Sequence, residues 1–259
     1  MTEQLIAALG SGGLVGFTLG LLGGGGSILA TPLLLYVVGV AQPHVAIGTG
    51  ALAVAVNALA NFIGHAAKGH VRWRCGLVFS AFGVVGAFGG STLGKALDGS
   101  KLLFFFGLVM IAVGALMLRR RPLVEVAPRP VDRRMCVLTA VMALLAGGAS
   151  GFFGIGGGFL IVPALILATG MPMIDAVGTS LMAVTAFGLA TAVNYSLSGL
   201  VDWALAGEFI FGGVLGGLVG TLAATRLSAQ KNMLNRIFAG LIFCVALYVI
   251  SRSLGAIAG

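Results

Sequence analysis

Ten long apolar stretches occupy most of the chain, and they constrain its fold more than any other feature. They cover roughly residues 5–22, 28–40, 45–64, 75–93, 102–118, 136–153, 159–169, 174–197, 204–224 and 234–250. Most contain the roughly 17 to 25 apolar residues that a helix needs to cross a bilayer. Only 8% of the residues are charged, which is too few for a soluble domain. We therefore predict an all-α polytopic membrane protein.

Glycine clusters interrupt this apolar sequence at two places, "GLLGGGGSILATPLLL" and "GFFGIGGGFLIVPALI". Each glycine inside a helix costs about 1 kcal/mol relative to alanine, so each cluster predicts a break. The stretch after each cluster is too short to cross a bilayer comfortably, and it carries a proline, Pro32 or Pro163, that suits a first helical turn. Each region is therefore predicted to be a helical hairpin with the glycine cluster at its tip.

The chain also repeats itself with an offset of about 130 residues. Pro32 matches Pro163, "AIGTG" at 46–50 matches "AVGTS" at 176–180, and "GHVRW" at 69–73 matches "GLVDW" at 199–203. Internal duplication of this kind is typical of transporter folds. We predict a first transmembrane repeat over residues 1–118, a basic cytoplasmic linker over 119–134, and a second repeat over 135–259.

The charges of the matched loops differ and predict how the two halves are oriented. The loop "HAAKGHVRWR" is basic, whereas its counterpart "SGLVDWALAGE" is acidic. By the positive-inside rule the first lies in the cytoplasm and the second outside. This requires inverted repeats, each a glycine-interrupted hairpin plus three further helices, with about 8 to 10 helical membrane segments in all. The net charge of +8 then orients the chain, and no nucleic-acid partner is predicted.

The two tips are the candidate binding site. Irregular backbone at membrane depth is tolerated only where it lines a cavity or is buried in protein. Backbone N–H groups at helix starts attract anions, so we predict that a small anion binds at Gly23, Gly24, Gly25, Gly26, Ser27, Gly154, Gly156, Gly157 and Gly158. The alternative is close helix packing, which accounts for Gly83, Gly86, Gly90, Gly213, Gly216 and Gly220.

With its two glycine clusters, its prolines and its GT(S/G) motifs duplicated across a basic linker, the chain resembles the sulfite exporter TauE/SafE family. The resemblance covers essentially the whole chain. It implies transport of small sulfur-containing anions such as sulfite, sulfoacetate or other organosulfonates, usually outward across the bacterial cytoplasmic membrane. The motif carries onto Gly23 to Ser27, Pro32 and Gly48-Thr49, and onto Gly154, Gly156 to Gly158, Pro163 and Gly178 to Ser180. Gly50 departs from it, since Ser180 stands at that place in the second repeat.

Several polar side chains near these motifs are open to two interpretations. Thr49, Thr179 and Ser180 either donate hydrogen bonds to the anion or bond a carbonyl in their own helix. Asn57, like Asn61 and Asn194, either contacts the substrate or bonds between helices. His44 and Asp175 lie near helix starts; helix capping is one interpretation of Asp175, and a proton relay through the two is the other.

No cofactor or metal is predicted, because Cys75, Cys136 and Cys244 are scattered without metal-binding spacing. The expected partners are the sulfur-containing anion and the lipid bilayer, and a homodimer is also open. No carboxylate lies in the middle of a span, so no coupling site is visible. An anion leaving a cell that is negative inside gains about 2.3 kcal/mol per charge per 100 mV, so export needs no coupling.

The alternative function is an intramembrane serine protease that uses Ser150 in the "GASG" motif. A serine nucleophile needs a base within hydrogen-bond reach. In rhomboid-type proteases the histidine follows the serine, whereas all three histidines here, His44, His65 and His70, precede it. We therefore predict a transporter of sulfur anions or of another small anion, and no enzyme.

Overall fold

A computed structural model describes residues 2–118, 133–154, 156, 158–226 and 231–258, which form ten α-helices and one 3-10 helix. The first half contains α1 (Thr2–Leu22), the 3-10 helix (Gly23–Leu29), α2 (Ala30–Tyr36), α3 (Pro43–Ala67), α4 (Trp73–Ala96) and α5 (Gly99–Leu118). The second half contains α6 (Arg133–Phe153), α7 (Gly158–Thr169), α8 (Met173–Ser196), α9 (Trp203–Arg226) and α10 (Lys231–Ala258).

Within these ranges six helices, α1, α3, α4, α6, α8 and α9, are long and apolar enough to cross a membrane. Four shorter apolar segments accompany them, at Gly25–Tyr36, Gly99–Ala115, Leu160–Thr169 and Ile242–Leu254. The described part of the chain contains no β-strand. The prediction of an all-α polytopic membrane protein is confirmed. Residues 119–132 of the predicted linker lie outside the described ranges, and α6 begins at Arg133.

The first helix of each half packs against a helix of the other half. Helix α1 packs against α9, and α6 packs against α4. Glycines make this close approach possible. A Cβ atom added to Gly16 of α1 would overlap the backbone of Gly213 on α9, and one added to Gly147 of α6 would overlap the backbone of Gly83 on α4. Small residues let membrane helices approach in this way. The predicted packing role is confirmed for four further glycines, whose added Cβ atoms would also overlap a neighbouring backbone: Gly86, Gly90, Gly216 and Gly220.

Equivalent helices of the two halves run in opposite directions. Gly48, near the start of α3, packs against Tyr195 near the end of α8, whereas Gly178, near the start of α8, packs against His65 near the end of α3. Helices α5 and α10 are also antiparallel. Gly107 packs against Ile250, and Gly114, which is later in α5, packs against Phe243, which is earlier in α10. The orientation of the halves relative to a membrane stays a prediction.

The centre of the molecule is the antiparallel pair α3 and α8. In these two spans 67% and 61% of the residues are buried, against 33% to 44% in the other four long spans. The first hairpin folds back at its glycine tip, where an added Cβ atom on Gly26 would overlap Thr18 and Leu19 of α1. The segment after α1 therefore packs back against the end of that helix instead of continuing it.

Candidate functional site

The two glycine tips meet beside the midpoints of α3 and α8. A Cβ atom added to Gly156 would lie 2.9 Å from Val54 Cγ1, 3.2 Å from Val184 Cγ1 and 3.8 Å from Ser27 Cβ. Val54 is the twelfth residue of α3, counted from Pro43, and Val184 is the twelfth of α8, counted from Met173. The two valines are equivalent residues of the duplication. The tips therefore meet where the pseudo-symmetry of the bundle relates one half to the other.

The backbone of the two tips differs although their sequences match. The first tip, Gly23–Leu29, is a 3-10 helix. In the second tip Gly154 has a φ of 65° and Gly156 a φ of 66°, in the left-handed region that favours glycine. Within the described residues, no glycine of the first tip has such a φ. The predicted site residue Gly157 lies outside the described residues.

The tip glycines also differ in the space around them. Around Gly25 an added Cβ atom would meet none of the described residues within 4 Å. By contrast, one added to Gly154 would overlap Ile47 of α3, and the one on Gly26 would overlap α1. The first tip is therefore closely packed at Gly26 but not at Gly25, whereas both Gly154 and Gly156 of the second tip are closely packed. Ser27 is fully buried.

Asn57 lies one turn beyond Val54 on α3, and its amide has no hydrogen-bond partner among the residues that the structure describes. The residue is 0% exposed, and neither Oδ1 nor Nδ2 is bonded. Its side chain packs against Gly213 of α9. At the equivalent position of the second half, Phe187 packs against Gly83 and stacks on Phe79 with ring centroids 6.0 Å apart.

The amides of Asn61 and Asn194 bond between helices, which is the second of their two predicted interpretations. Asn61 Oδ1 accepts a hydrogen bond from Thr221 Oγ1 of α9 at 3.0 Å. Asn194 Oδ1 accepts one from Lys95 Nζ of α4 at 2.8 Å, and its amide nitrogen donates to Phe88 O of α4 at 3.1 Å. Buried polar groups are nearly always paired in this way, so the unpaired amide of Asn57 is the exception that needs an explanation.

The three predicted hydroxyl donors have partners within the protein. Thr49 Oγ1 accepts a hydrogen bond from the backbone N–H of Asp202, and Thr179 Oγ1 accepts one from that of Arg72, both at 3.0 Å. Ser180 Oγ donates to Val177 O in its own helix at 2.7 Å. The two threonines therefore tie loops of the opposite half to α3 and α8.

His44 and Asp175 lie at opposite ends of the bundle, because they begin α3 and α8 and these helices are antiparallel. His44 Nε2 lies 3.1 Å from Leu97 O, at the end of α4. Asp175 accepts a hydrogen bond from Arg72 Nε at 2.7 Å, and its Oδ1 lies 3.9 Å from His70 Nδ1. Both partners belong to the loop before α4. The structure does not bring the two residues together as one relay.

Thr31, which was not predicted to be a site residue, lies close to the level at which the two tips meet. Thr31 of α2 is 1% exposed, and its hydroxyl has no hydrogen-bond partner. It lies 3.7 Å from the position of an added Cβ atom on Gly50, one turn before Val54. The available signal was Gly50, where the second repeat carries Ser180. Because Gly50 lacks the hydroxyl that Ser180 carries, the residues packed against Gly50 were the place to look for a substitute donor.

Two backbone tips, an unpaired amide and an unpaired hydroxyl thus lie near the central level of a duplicated, interrupted helix bundle. Interrupted helices that meet at the middle of a duplicated bundle characterise secondary transporters. The molecule is a multi-pass membrane transporter. The chain belongs to the sulfite exporter TauE/SafE family, whose model matches residues 8–249.

Similar proteins support the same class. A probable membrane transporter protein of Xylella fastidiosa (strain Temecula1) is 61% identical over 255 residues, which cover 97% of each chain. The probable membrane transporter protein YunE of Bacillus subtilis is 29% identical, over 91% of this chain and 95% of its own. The probable membrane transporter protein MJ0441 of Methanocaldococcus jannaschii is 27% identical, over 70% of each chain. No solved structure matches the chain.

Proposed function

We propose that this transporter exports small sulfur-containing anions, such as sulfite, sulfoacetate or another organosulfonate, across the bacterial cytoplasmic membrane, and that the anion binds between the two glycine tips. The observation that carries the proposal is the meeting of Gly156 and Ser27 beside Val54, one turn from the unpaired amide of Asn57. Such a place offers backbone and side-chain N–H donors inside an apolar bundle.

The distribution of charge supports an anion over a cation. All carboxylates of the described residues lie just before a helix or in its first two turns: Glu3, Asp98, Asp175, Asp202 and Glu208. None is therefore near the twelfth residue of α3 or α8, where the tips meet. A cation there would have no counter-charge, whereas an anion would meet amide donors, which bind anions well when water is excluded.

The charges of the loops support an orientation of the protein in the membrane and a direction of anion transport. The loop between α3 and α4 carries Lys68 and Arg72, so the positive-inside rule puts it in the cytoplasm. Because α3 and α8 are antiparallel, the equivalent loop with Asp202 lies at the other end of the bundle. An inside-negative membrane potential then favours outward movement of an anion by about 2.3 kcal/mol per charge per 100 mV.

The protease alternative receives no support from Ser150. Its side chain is fully buried, and its hydroxyl has no hydrogen-bond partner among the described residues. A serine nucleophile requires a base that accepts its proton. The environment of Ser150 therefore supports a packing role within α6, and transport remains the better explanation of the interrupted hairpins.

The test is anion flux in proteoliposomes that contain the purified transporter, with an imposed inside-negative or inside-positive potential. The panel contains sulfite, sulfoacetate, taurine and thiosulfate, with phosphate and chloride as sulfur-free anions. We expect sulfite or an organosulfonate to move fastest, and the flux to follow the potential. Selective flux of phosphate or chloride would instead identify a transporter of another small anion.

The amide gives a second test of the same site. Asn57→Leu replaces the unpaired amide by an apolar side chain with the same branching and a larger volume. Removal of an unsatisfied buried group should offset the tighter fit against Gly213, so the melting temperature should stay close to that of wild type. If Asn57 binds the anion, affinity falls about 10-fold or more, as expected for a lost hydrogen bond to a charged group. Wild-type affinity in this variant contradicts the role of Asn57.

A further inference from the structure

Among the described threonines, Thr31 and Thr191 are the two whose buried hydroxyls have no hydrogen-bond partner, and of these Thr31 lies on a hairpin arm. Most described threonine hydroxyls within helices donate to a carbonyl three or four residues earlier in the same helix, as do Thr18, Thr92, Thr139, Thr169, Thr185 and Thr221. That is the ordinary way in which a helical threonine satisfies its hydroxyl. The hydroxyl of Thr31 makes no such bond, although the residue is 1% exposed.

The two halves place their hydroxyls differently where the short hairpin arm meets the central helix. In the second half Ser180 of α8 carries the hydroxyl, and Val162 of α7 stands at the position equivalent to Thr31. In the first half the hydroxyl belongs to Thr31 on the hairpin arm, and α3 has Gly50. Each half thus has one hydroxyl at these two equivalent positions, but on opposite elements.

Only one of these two hydroxyls has a free donor. Ser180 donates to Val177 O at 2.7 Å, so its proton is committed to its own helix. Thr31 Oγ1 lies instead 3.7 Å from where a side chain on Gly50 would begin, and Leu34 Cδ1 lies 3.2 Å from the same point. Gly50, Val54 and Asn57 follow one another at intervals of about one turn on the same side of α3. Along the axis of α3, Thr31 therefore lies on one side of the level at which the tips meet, and Asn57 lies on the other side.

We propose that Thr31 contacts the transported anion and donates its hydroxyl hydrogen bond to an oxyanion oxygen, a role that rests on the proposed function. The hydroxyl on the hairpin arm replaces the one that α3 lost at Gly50. The first half then supplies both side-chain donors, Thr31 and Asn57, whereas the second half has Val162 and Phe187 at the equivalent positions. Selectivity for the oxyanion resides mainly in the first repeat.

The test compares Thr31→Val, Thr31→Ser and the control Thr185→Val in the full-length transporter. Valine has the shape of threonine without the donor. Because an unpaired buried hydroxyl lowers stability, Thr31→Val should melt at the wild-type temperature or above it. Its affinity for sulfite and sulfoacetate should fall about 10-fold or more, since the lost bond is to a charged ligand. Serine keeps the donor and should stay within about 3-fold of wild type.

Thr185→Val removes a buried hydroxyl of α8 that already donates to Leu181 O at 2.8 Å. We expect it to retain wild-type affinity, because its loss affects only its own helix. Wild-type affinity in Thr31→Val overturns the proposal, and so does an equal loss of affinity in Thr31→Val and Thr185→Val. If the wild-type protein binds neither sulfite nor sulfoacetate, the proposed function fails as well. If the wild type binds them and Thr31→Val is unchanged, only the role of Thr31 fails.

Discussion

The backbone N–H of Arg72 donates a hydrogen bond to Thr179 Oγ1 at 3.0 Å, and this bond joins the loop after α3 to the first turns of α8. The same contact occurs at the other end of the molecule, where the N–H of Asp202 donates to Thr49 Oγ1 at 3.0 Å. We call the Arg72–Thr179 contact the first clasp and the Asp202–Thr49 contact the second clasp. Each clasp ties a loop of one half to the central helix of the other.

The two clasps differ in charge. At the first clasp Asp175 pairs with Arg72 at 2.7 Å, whereas Val45 occupies the position equivalent to Asp175 at the second. Asp175 is mostly buried, with 13% of its side chain exposed, and the Arg72 side chain is 60% exposed. The first clasp therefore has an ion pair in addition to the threonine bond, and the second has the threonine bond alone.

The first prediction concerns the stability that the clasps provide. Thr49→Val and Thr179→Val each leave a loop N–H without its acceptor, and each should lower the free energy of unfolding by about 1 kcal/mol. Asp175→Asn should cost at most about 1 kcal/mol at low salt and less at high salt, because its partner is largely solvated. Melting temperatures in detergent, measured at two salt concentrations, check these values.

Arg72→Gln and the double variant with Asp175→Asn complete a double-mutant cycle for the ion pair. A coupling that is lost at high salt identifies the charge interaction. If Thr179→Val is as stable as wild type, the first clasp contributes nothing to folding, and the threonine bond is only a consequence of the packing.

The second prediction concerns membrane orientation. His70 and Leu200 are equivalent loop residues at opposite ends of the bundle, each with its carbonyl packed against a glycine of the other half, Gly178 or Gly48. Single cysteines at these two positions, in a background without Cys75, Cys136 and Cys244, should react differently with an impermeant maleimide on intact cells. Leu200→Cys should label and His70→Cys should not. Equal labelling of both positions would contradict the inverted orientation.

The sequence predicted the helices well because a membrane span needs a long apolar stretch. The apolar stretch 45–64, for example, corresponds to α3 at Pro43–Ala67. It also predicted which positions are equivalent, since the duplication aligns Thr49 with Thr179. His44 and Asp175 lie at opposite ends of the bundle for the same reason, because they occupy near-equivalent positions at the starts of two antiparallel helices.

Other features depend on relationships that the sequence does not contain. Small residues indicate that Gly16 and Gly213 belong to packing surfaces. They do not indicate that these two residues contact each other across the two halves. Glycine permits both a 3-10 helix and positive φ, so the different backbones of the two tips were not predictable. The missing partner of Thr31 is a property of the assembled bundle and has no counterpart in local sequence.

The third prediction separates glycines that pack from glycines that do not. On α4, a Cβ atom added to Gly86 would overlap Leu144 O of α6, whereas one added to Gly89 would meet nothing within 4 Å. Gly86→Ala should therefore lower stability by about 1 to 3 kcal/mol through overpacking. Gly89→Ala should be neutral or stabilising by up to about 1 kcal/mol, because alanine favours the helix. Thermal unfolding of both variants checks this contrast, which fails if both melt at the same temperature.

The fourth prediction concerns Ser150, the serine of the alternative protease hypothesis. Its hydroxyl is buried without a partner, so Ser150→Ala removes an unsatisfied group and should leave stability equal or slightly higher. Sulfite flux should remain within a few fold of wild type. Proteolysis of a membrane substrate that disappears in Ser150→Ala would instead establish an enzyme, and the transport proposal would have to be abandoned.

The last prediction tests the glycine tips, where the two halves offer a matched pair. No described residue lies within 4 Å of a Cβ atom added to Gly25, and its φ is ordinary, so Gly25→Val should insert and melt within a few degrees of wild type. Its side chain would nevertheless occupy the space through which an anion approaches the backbone N–H groups, and sulfite flux should be lost. Gly156→Ala combines a φ of 66° with a Cβ only 2.9 Å from Val54, so it should lower stability first, by about 1 to 2 kcal/mol for the backbone alone. Sulfite binding and melting temperature, measured on both variants, separate the two effects. Normal sulfite binding by Gly25→Val would show that the first tip is a packing element and that the anion binds elsewhere in the bundle.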